Sequence, residues 1–472
     1  MDRLWQDVRY GARLLLRFPG ATAAGLLALA LGTGVNTALF SIVNTVLLTP
    51  LPFPNADELV QVWRTELPRL QFGSASYPRY VDWRGRNRVF AEMGAYSPGG
   101  LTLTGRDAPE RLPGARATAS FFRTLAAPPI AGRYLADDED RPGGPKVIVI
   151  GEQLWRRRFG GDLRLLDSTL TIDGAPHTVI GIAPAAYTEM WRVDAWVPLA
   201  TTVDQNTRGR NFLVVVGRLK EELTLDQAQP AMSDLAAGMS RDYPRDRSGF
   251  FMMSLHEVLT RGPRQALWIL LGATGVVLLI ACANVANLLL VRAVTRQKEM
   301  AVRTALGAGH WRLVRQLMTE TIILSLAGGG LGLTLAAGLL RLFALVAPAN
   351  FPRLASIGLD GRVLAFSLGV AAVTGFLAAV LPAIHAARAE PGDALRESSR
   401  GATAGRARLF SRLLVMGEIA MAVMLVAAAG LTIRSLQQLM RQDLGLTTRG
   451  VLTFTVSLTD RRQDDAPVVA QF

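Results

Sequence analysis

Five stretches of the chain are almost uninterruptedly apolar: residues 21–48, 267–291, 321–347, 363–387 and 413–433. Each is long enough to cross a bilayer, which takes about 20 largely apolar residues. None has Lys, Arg, Asp or Glu at its centre. Arg341 lies near the end of the third and Glu418 near the start of the fifth. Core helices of soluble proteins are shorter and keep a polar face, so the pattern predicts membrane spans. The first run follows basic residues, as a signal peptide does, but exceeds an h-region of about 7–15 residues. It also carries Asn36, Thr37, Ser41, Asn44 and Thr45, with 37, 41 and 45 one helical turn apart. Such a polar stripe suits hydrogen bonding between helices, and the run is expected to stay as an anchor.

Between the first two runs, residues 49–262 change character. Short Val/Ile/Thr/Phe-rich segments ending in Gly, Pro or Asp recur at 58–64, 101–104, 146–151, 169–173, 177–182, 195–199, 211–219 and 250–255, and read as strands. Asp173-Gly174 between two of them is a hairpin signal. Helical spacing falls at 78–93, 151–160 and 224–240, with Leu154, Trp155 and Phe159 on one side of the second. The fold class expected is therefore a multi-pass α-helical membrane protein carrying an α+β extracytoplasmic domain large enough to bury its own core.

Charge then gives orientation. The 472 residues carry a net charge of +13 with only 19% charged residues, a composition that excludes disorder, collagen and a disulfide scaffold. Residues 49–262 hold 26 Lys/Arg against 25 Asp/Glu, so nearly all the excess lies elsewhere. It concentrates before the first run (Arg3, Arg9, Arg13, Arg17), between the second and third (Arg292, Arg296, Lys298, Arg303, Arg312, Arg315) and between the fourth and fifth (Arg388, Arg396, Arg400, Arg406, Arg408, Arg412). Those segments alternate with the others as the cytoplasmic side of a membrane does. The N-terminal segment 1–20, the loop 292–320 and the linker 388–412 are placed inside, and 49–262 outside. The basic balance then reports topology rather than a nucleic-acid partner, and most of these arginines suit a solvated or lipid-facing rim.

Chemistry is sparse. Cys282 is the single cysteine and there are four histidines, an inventory ill suited to a zinc site. No Gly-x-Ser-x-Gly or His-Glu-x-x-His occurs, and His177 and His256 stand apart as structural histidines. Asp137-Asp-Glu-Asp140 lacks the alternating ligands of a calcium loop and reads as a solvated turn, and Arg156, Arg157 and Arg158 read as a solvated helix face. The lysines, Lys146, Lys220 and Lys298, follow no Gly-x-x-x-x-Gly pattern, so the sequence offers no P-loop. No catalytic residue, cofactor site or metal site is expected, and ATP-driven work would need a partner chain.

The 292–320 loop, RAVTRQKEMAVRTALGAGHWRLVRQLMTE, is charged up to Leu306, broken by Gly307-Ala308-Gly309, and helical again from His310. A short helix held between two spans can be an ordinary interfacial connector or a docking knob. Here the string resembles the R-x-x-E-x-x-x-R-x-x-x-G-A segment of MacB/FtsX-type ABC transporter permeases, matching at Arg296, Glu299, Arg303, Ala305, Leu306, Gly307 and Ala308, with Glu320 at the start of the third span. Pro382-Ala-Ile-His-Ala-Ala-Arg388 with Pro391-Gly-Asp-Ala-Leu395 is similar to that family's tail after its last span. Gly151-Glu-Gln-Leu-Trp155, Phe159-Gly-Gly-Asp162, Ile172-Asp-Gly174 and Val179-Ile-Gly-Ile182 resemble the inserted lobe of its periplasmic core domain. The resemblance covers about residues 1–390.

It implies a permease of the bacterial plasma (inner) membrane, used for efflux or export. Arg296, Lys298, Glu299, Arg303, Leu306, Gly307 and Ala308 would then dock a cytoplasmic ABC ATPase, which uses the ATP; this chain would bind no cofactor. A second permease unit or a periplasmic adaptor is a further possible partner. Two features depart from a four-span unit: the fifth run, and the faint echo of Arg13-Leu-Leu-Leu-Arg-Phe18 in Arg412-Leu-Leu-Val-Met-Gly-Glu418, followed by a strand-like 450–458. The chain thus resembles the first half of a duplicated orphan permease, with 434–472 expected to begin a second external domain. Transmitting motion needs closely packed helices, and Gly328, Gly332, Gly338, Ala28 and Gly32 would allow close approach. Asn36, Asn284 and Asn287, polar groups within apolar runs, are expected to face neighbouring helices. Ordinary packing without motion fits the same residues. A receptor without an ATPase, or a scaffold acting on periplasmic hydrolases, would share this topology; a membrane-bound enzyme lacks a nucleophile, metal cluster or paired carboxylates.

Overall fold

The computed structural model describes residues 19–66, 68, 70–105, 108–244, 246, 248–295, 310–348, 351, 353–387 and 402–441. They fall into two compact units, one holding Thr49–Gly262 and the other the residues up to Leu48 and from Pro263 onward.

In the first unit, eleven strands form one sheet: β1 (Leu59–Glu66), β2 (Leu70–Gly73), β3 (Phe90–Thr104), β4 (Glu110–Ala117), β5 (Ala131–Gly132), β6 (Val147–Gly151), β7 (Thr169–Ile172), β8 (Ala175–Ala183), β9 (Ala195–Pro198), β10 (Val214–Leu219) and β11 (Gly249–Ser254). The order is β11-β1-β10-β3-β4-β9-β6-β8-β5, with β2 on β1 and β7 on β3 and β8. The β4–β9 and β6–β8 pairs are parallel and the others antiparallel. The 15-residue strand β3 is shared: its first part pairs with β10 and its second with β4, with Pro98-Gly99-Gly100 in the second stretch. Residues 110–199 thereby make a lobe inserted between β3 and β10. The β7–β8 hairpin turns on Asp173-Gly174, both at positive φ (49° and 74°) as a two-residue primed turn requires.

α1 (Pro19–Val43) precedes the strands in the chain and belongs to the other unit; among the described residues five α-helices interrupt the strands: α2 (Tyr77–Arg86), α3 (Ala119–Leu125), α4 (Glu152–Phe159), α5 (Ala185–Trp191) and α6 (Leu225–Asp242). α2 and α6 cover a core of Tyr80, Trp83, Met93, Val215, Met232 and Phe250. α4 lays Leu154 and Trp155 on Ile148, Ile150, Val179 and Ile182. An aromatic core gathers Phe121, Phe122, Tyr187 and Trp196, with Phe122 and Tyr134 stacked at 4.3 Å.

The sequence reading overran at 78–93. α2 ends at Arg86 because Asn87 caps it: its side chain donates to the carbonyls of Trp83 (2.9 Å) and Arg84 (3.0 Å) and accepts the amide of Phe90 at 2.9 Å, where β3 begins. β2, the first part of β3, β4, β5, α3 and α5 had no expectation. Asp137–Asp140 is a turn whose first two acids are exposed, but its last two are not solvated. Glu139 is buried, forked onto Arg133 at 2.6 and 2.9 Å, and Asp140 accepts the amides of Ala119 (3.1 Å) and Ala200 (2.8 Å). The arginines of α4 also do more than face water. Arg157 and Arg158 both reach Glu110 on β4, tying helix to sheet across 47 and 48 residues of chain. His177 Nδ1 donates to the Ala175 carbonyl (2.9 Å), and burial pushes its imidazole below the usual range, which keeps it neutral near pH 7.

The second unit is helical: α1 with a π turn at Asn44–Leu48, then α7 (Leu255–Thr295), α8 (His310–Val346), α9 (Gly361–Ala387) and α10 (Ala402–Met440). Among the described residues four helical stretches are long and apolar enough for a bilayer: Thr22–Leu48, Leu255–Leu288, Met318–Val346 and Ser411–Met440; the described apolar part of α9, Gly361–Leu377, is shorter. One boundary differs from expectation. α10 starts within the anticipated 388–412 linker and runs seven residues past 433, so 434–440 is helix rather than the start of an external domain. α8 begins at His310, where the loop sequence places the restart of a helix.

Candidate functional site

The loop residues Arg296, Lys298, Glu299, Arg303, Leu306, Gly307 and Ala308 lie outside the described residues, as do 388–401 and 442–472. What the described part of the helical unit presents is a seam. Ala30, Gly34 and Ala38 repeat every four residues on α1, and Gly328, Gly332 and Ala336 do so on α8; all six are buried. Four-residue spacing puts them on one stripe of each helix, and without side-chain bulk two backbones can meet. They do. A Cβ built on Gly332 would stand 2.3 Å from Thr33 Oγ1, 3.1 Å from the Gly34 nitrogen and 3.2 Å from the Ala30 carbonyl oxygen. One on Gly34 would stand 2.8 Å from the Gly332 carbonyl oxygen, and one on Gly328 would stand 2.7 Å from Leu29 Cβ. The other face of α8 repeats the device against α9: Gly329 meets Ala371 at 2.9 Å and Gly375 meets Ser325 Oγ at 2.8 Å by the same construction.

Polar side chains cross the remaining interfaces. Asn36 on α1 donates to the Thr274 carbonyl on α7 at 2.8 Å and accepts that residue's hydroxyl at 3.1 Å. Ser41 donates to the Gly358 carbonyl at 2.5 Å, and Asn44 to Asp360 Oδ2 at 3.0 Å. The other oxygen of Asp360 caps α9 by accepting the Val363 amide at 2.8 Å, so one carboxylate serves the helix end and the α1 contact together. Phe40 stacks on Phe366, centroids 3.8 Å apart. Asn287 on α7 accepts the Ser411 hydroxyl of α10 at 2.7 Å.

The expected packing residues thus separate. Asn36, Asn287, Gly328 and Gly332 each meet another helix. Gly32 meets Leu278 and Ala281 of α7, and a Cβ on Gly338 would meet nothing within 4 Å. Asn284 is exposed: Ala281, Cys282, Val285 and Ala286 form the buried arc of α7, and Asn284 falls well off it. Gly34 and the Asn44–Asp360 bond were not anticipated. The small-residue stripe 30/34/38 was a usable signal for the first; the second depends on a loop with no pattern of its own.

Two family models match the chain. The MacB-like periplasmic core domain matches residues 22–235, and the FtsX-like permease C-terminal domain matches 271–391, in that order and across both units. The chain is a MacB/FtsX-type permease. Among curated relatives it is similar to the macrolide export ATP-binding/permease protein MacB of Burkholderia pseudomallei (strain 1710b), 27% identical over 281 residues, which are 58% of this chain and 41% of that protein. The proteins of the same name from Chromobacterium violaceum (27% identical, covering 58% of this chain and 42% of that protein) and Salmonella typhi (26% identical, covering 53% and 38%) are comparable. The permease therefore matches about two fifths of the length of these relatives. Among solved structures it is similar to the periplasmic region of MacB from Actinobacillus actinomycetemcomitans, at 13% identity and a TM-score of 0.34, covering 45% of this chain and 94% of that one. The extracellular domain of the noncanonic ABC-type transporter YknZ from Gram-positive bacteria gives 12% identity and a TM-score of 0.31, covering 41% and 99%. As a permease of this family the chain is a membrane component of an ABC-type transport system.

Proposed function

We propose that the permease transmits ATP-driven motion from a separate cytoplasmic ATPase to its external α+β domain, in the direction of efflux or export, and that it performs no catalysis itself. The observation that supports this is the succession of a MacB-like periplasmic core domain and an FtsX-like permease domain in one chain. The N-terminus is cytoplasmic in this reading, because the positive residues before Ala21, in 292–320 and in 388–412 then share one side of the membrane. The ATPase docks on the loop through Arg296, Lys298, Glu299, Arg303, Leu306, Gly307 and Ala308, whose charges offer ion pairs. The motion enters α8, which follows that loop directly. Asn36, Asn287, Gly328 and Gly332 hold the helices that carry it, while Asn284, exposed on α7, stands apart from them. A second permease unit or a periplasmic adaptor completes the assembly.

The test is ATP hydrolysis in affinity-purified membranes. Vanadate-sensitive hydrolysis is expected to co-purify with the wild-type chain and to fall to background when Glu299→Arg and Arg303→Glu are combined. Equal hydrolysis in both preparations would remove the docking assignment.

A further inference from the structure

The external domain contains a pocket that the transmission of motion does not use. It has a volume of about 570 Å³ and is lined by Arg64, Arg79, Arg208, Asn211, Tyr243 and Asp246 among others. That volume suits a small molecule. β1 supplies Arg64 at its end, α2 supplies Arg79, the segment before β10 supplies Arg208 and Asn211, and the segment after α6 supplies Tyr243 and Asp246.

The hydrogen bonding of the lining is lopsided. Asp246 is saturated: Arg79 donates to it from Nε (3.1 Å) and Nη2 (2.7 Å), and the Ser248 hydroxyl donates at 2.6 Å. Burial opposes its ionisation, yet the Ser248 and Arg79 bonds outweigh that and hold its carboxyl below the usual range. Asn211 accepts from Arg79 Nη1 at 2.7 Å. Asp242, half-exposed at the rim, pairs with Arg86, and Glu66 pairs with Arg64. On the donor side, among the described residues, two buried N–H groups of the lining remain unspent. Arg64, only 9% exposed, directs Nη1 to Glu66 while its Nε reaches no acceptor. Arg208 bonds Asp82 through Nη2 and lies over the Tyr243 ring at 3.3 Å, while its buried Nη1 makes no hydrogen bond, Asp246 Oδ2 standing 3.5 Å away. Leaving a buried charged donor without a hydrogen bond is unfavourable, and these two lining donors make none.

We propose that this pocket binds the carboxylate or phosphate group of a small solute, with Arg64 Nε and Arg208 Nη1 as the donors that grip it. Arg79 supplies further positive charge and is itself fixed by Asp246 and Asn211, so the site is organised before the ligand arrives. The assignment is independent of ATPase coupling.

The test uses the full chain in detergent micelles and isothermal titration with three probes: triglycine, triglycine amide and inorganic phosphate. Triglycine, phosphate or both are expected to bind, and triglycine amide is not. Binding by triglycine alone assigns a carboxylate ligand; binding by phosphate alone assigns a phosphate. Arg208→Gln is expected to weaken the binding about tenfold or more, the scale of one charge-assisted hydrogen bond. Arg64→Lys, which keeps the charge and removes the Nε donor, is expected to weaken it similarly while leaving the melting temperature near wild type. That conservative change decides the matter if Arg208→Gln fails to fold. No binding by triglycine or phosphate at millimolar concentration means the donors face only water, and the proposal fails. It fails equally if the amide binds as tightly as the acid, or if Arg64→Lys has wild-type affinity.

Discussion

Replacing Gly332 by Ala adds one methyl group at the tightest point of the α1–α8 seam. That methyl would lie 2.3 Å from Thr33 Oγ1, against the 3.4 Å at which ordinary contact begins, a shortfall of about 1.1 Å. Thr33 cannot simply turn away, because its hydroxyl donates to the Leu29 carbonyl at 2.6 Å within α1. The helices must separate, or that bond must break. Overpacking of this kind costs about 1–3 kcal/mol. The structure also says how to relieve it. In Thr33→Ala the oxygen is gone, and the remaining neighbours of the new methyl, the Gly34 nitrogen at 3.1 Å and the Ala30 oxygen at 3.2 Å, leave shortfalls of about 0.2–0.3 Å. Thr33→Ala alone gives up one intrahelical bond and should cost about 0.5–1 kcal/mol. The double variant should therefore be scarcely less stable than Thr33→Ala, with a coupling of about 1–2 kcal/mol between the sites. The assay is reversible unfolding in mixed dodecylmaltoside and dodecyl sulfate micelles, followed by tryptophan fluorescence. Strictly additive effects, or a Gly332→Ala protein as stable as wild type, would refute the backbone-contact reading of the seam.

Further consequences are open to direct measurement. Asp360→Ala removes the cap of α9 and the acceptor of Asn44 together, and should lower stability in the same micelle assay by about 1–2 kcal/mol, more than Asn44→Ala does. Asn36→Leu should cost about 0.6–1.7 kcal/mol through loss of the two Thr274 bonds, with no additional loss on changing Thr274 to Val. In the external domain, Gly94→Ala places a methyl 2.4 Å from Phe121 Cα, backbone that cannot rotate aside, so the melting temperature should fall by several degrees. The Arg133 bonds, opposed by burial and aided by the Ala136 amide, hold the Glu139 carboxyl below its usual range. A depressed carboxylate contributes stability that is fully present above its unfolded value of about 4.3 and is lost as pH falls through the lower folded value. Melting temperature should accordingly drop below about pH 4, and Glu139→Gln should flatten that drop; an unchanged profile would show that the pair contributes nothing.

How much of this was legible depended on whether a signal was local. The apolar runs and the Asp173-Gly174 turn are short-range features, and each marks its place directly. β3 was half missed because Phe90–Gly100 carries Glu92, Pro98 and three glycines, residues that suit a long strand only when β10 and β4 claim it from either side. Glu139 and Asp140 look like surface acids in sequence; it takes Arg133, Ala119 and Ala200, brought in by the fold, to make them interior struts. The seam sits between these cases. Gly328 and Gly332 announce close packing, but which partner they meet required Ala30, Gly34 and Ala38 to be read at the same four-residue interval. Asn284 and Asn287, three residues apart, could not be told apart by type, and only Asn287 meets a described partner, Ser411.

The distribution of these contacts bears on the proposed transmission of motion. Lipid offers no hydrophobic drive for helices to associate, so what holds two spans together is close packing and polar bonds. α8 packs closely on two faces, backbone against backbone with α1 through Gly34 and Gly332, and with α9 where Gly329 meets Ala371 and Gly375 meets Ser325. α10 differs. Leu413, Met416, Ile419, Val423 and Leu431 are all exposed, and its described polar tie is the single Ser411–Asn287 bond. A displacement entering α8 would therefore carry α1 and α9 with it before it strained α10, because separating a glycine seam costs packing along several turns whereas one hydroxyl–amide bond is worth about 1 kcal/mol. On the proposed reading α1, α8 and α9 form the moving group. A crosslink joining α1 to α8 should then leave ATP hydrolysis coupled, and one joining α8 to α10 should not. Equal inhibition by both crosslinks would mean that the helices move as one body or not at all.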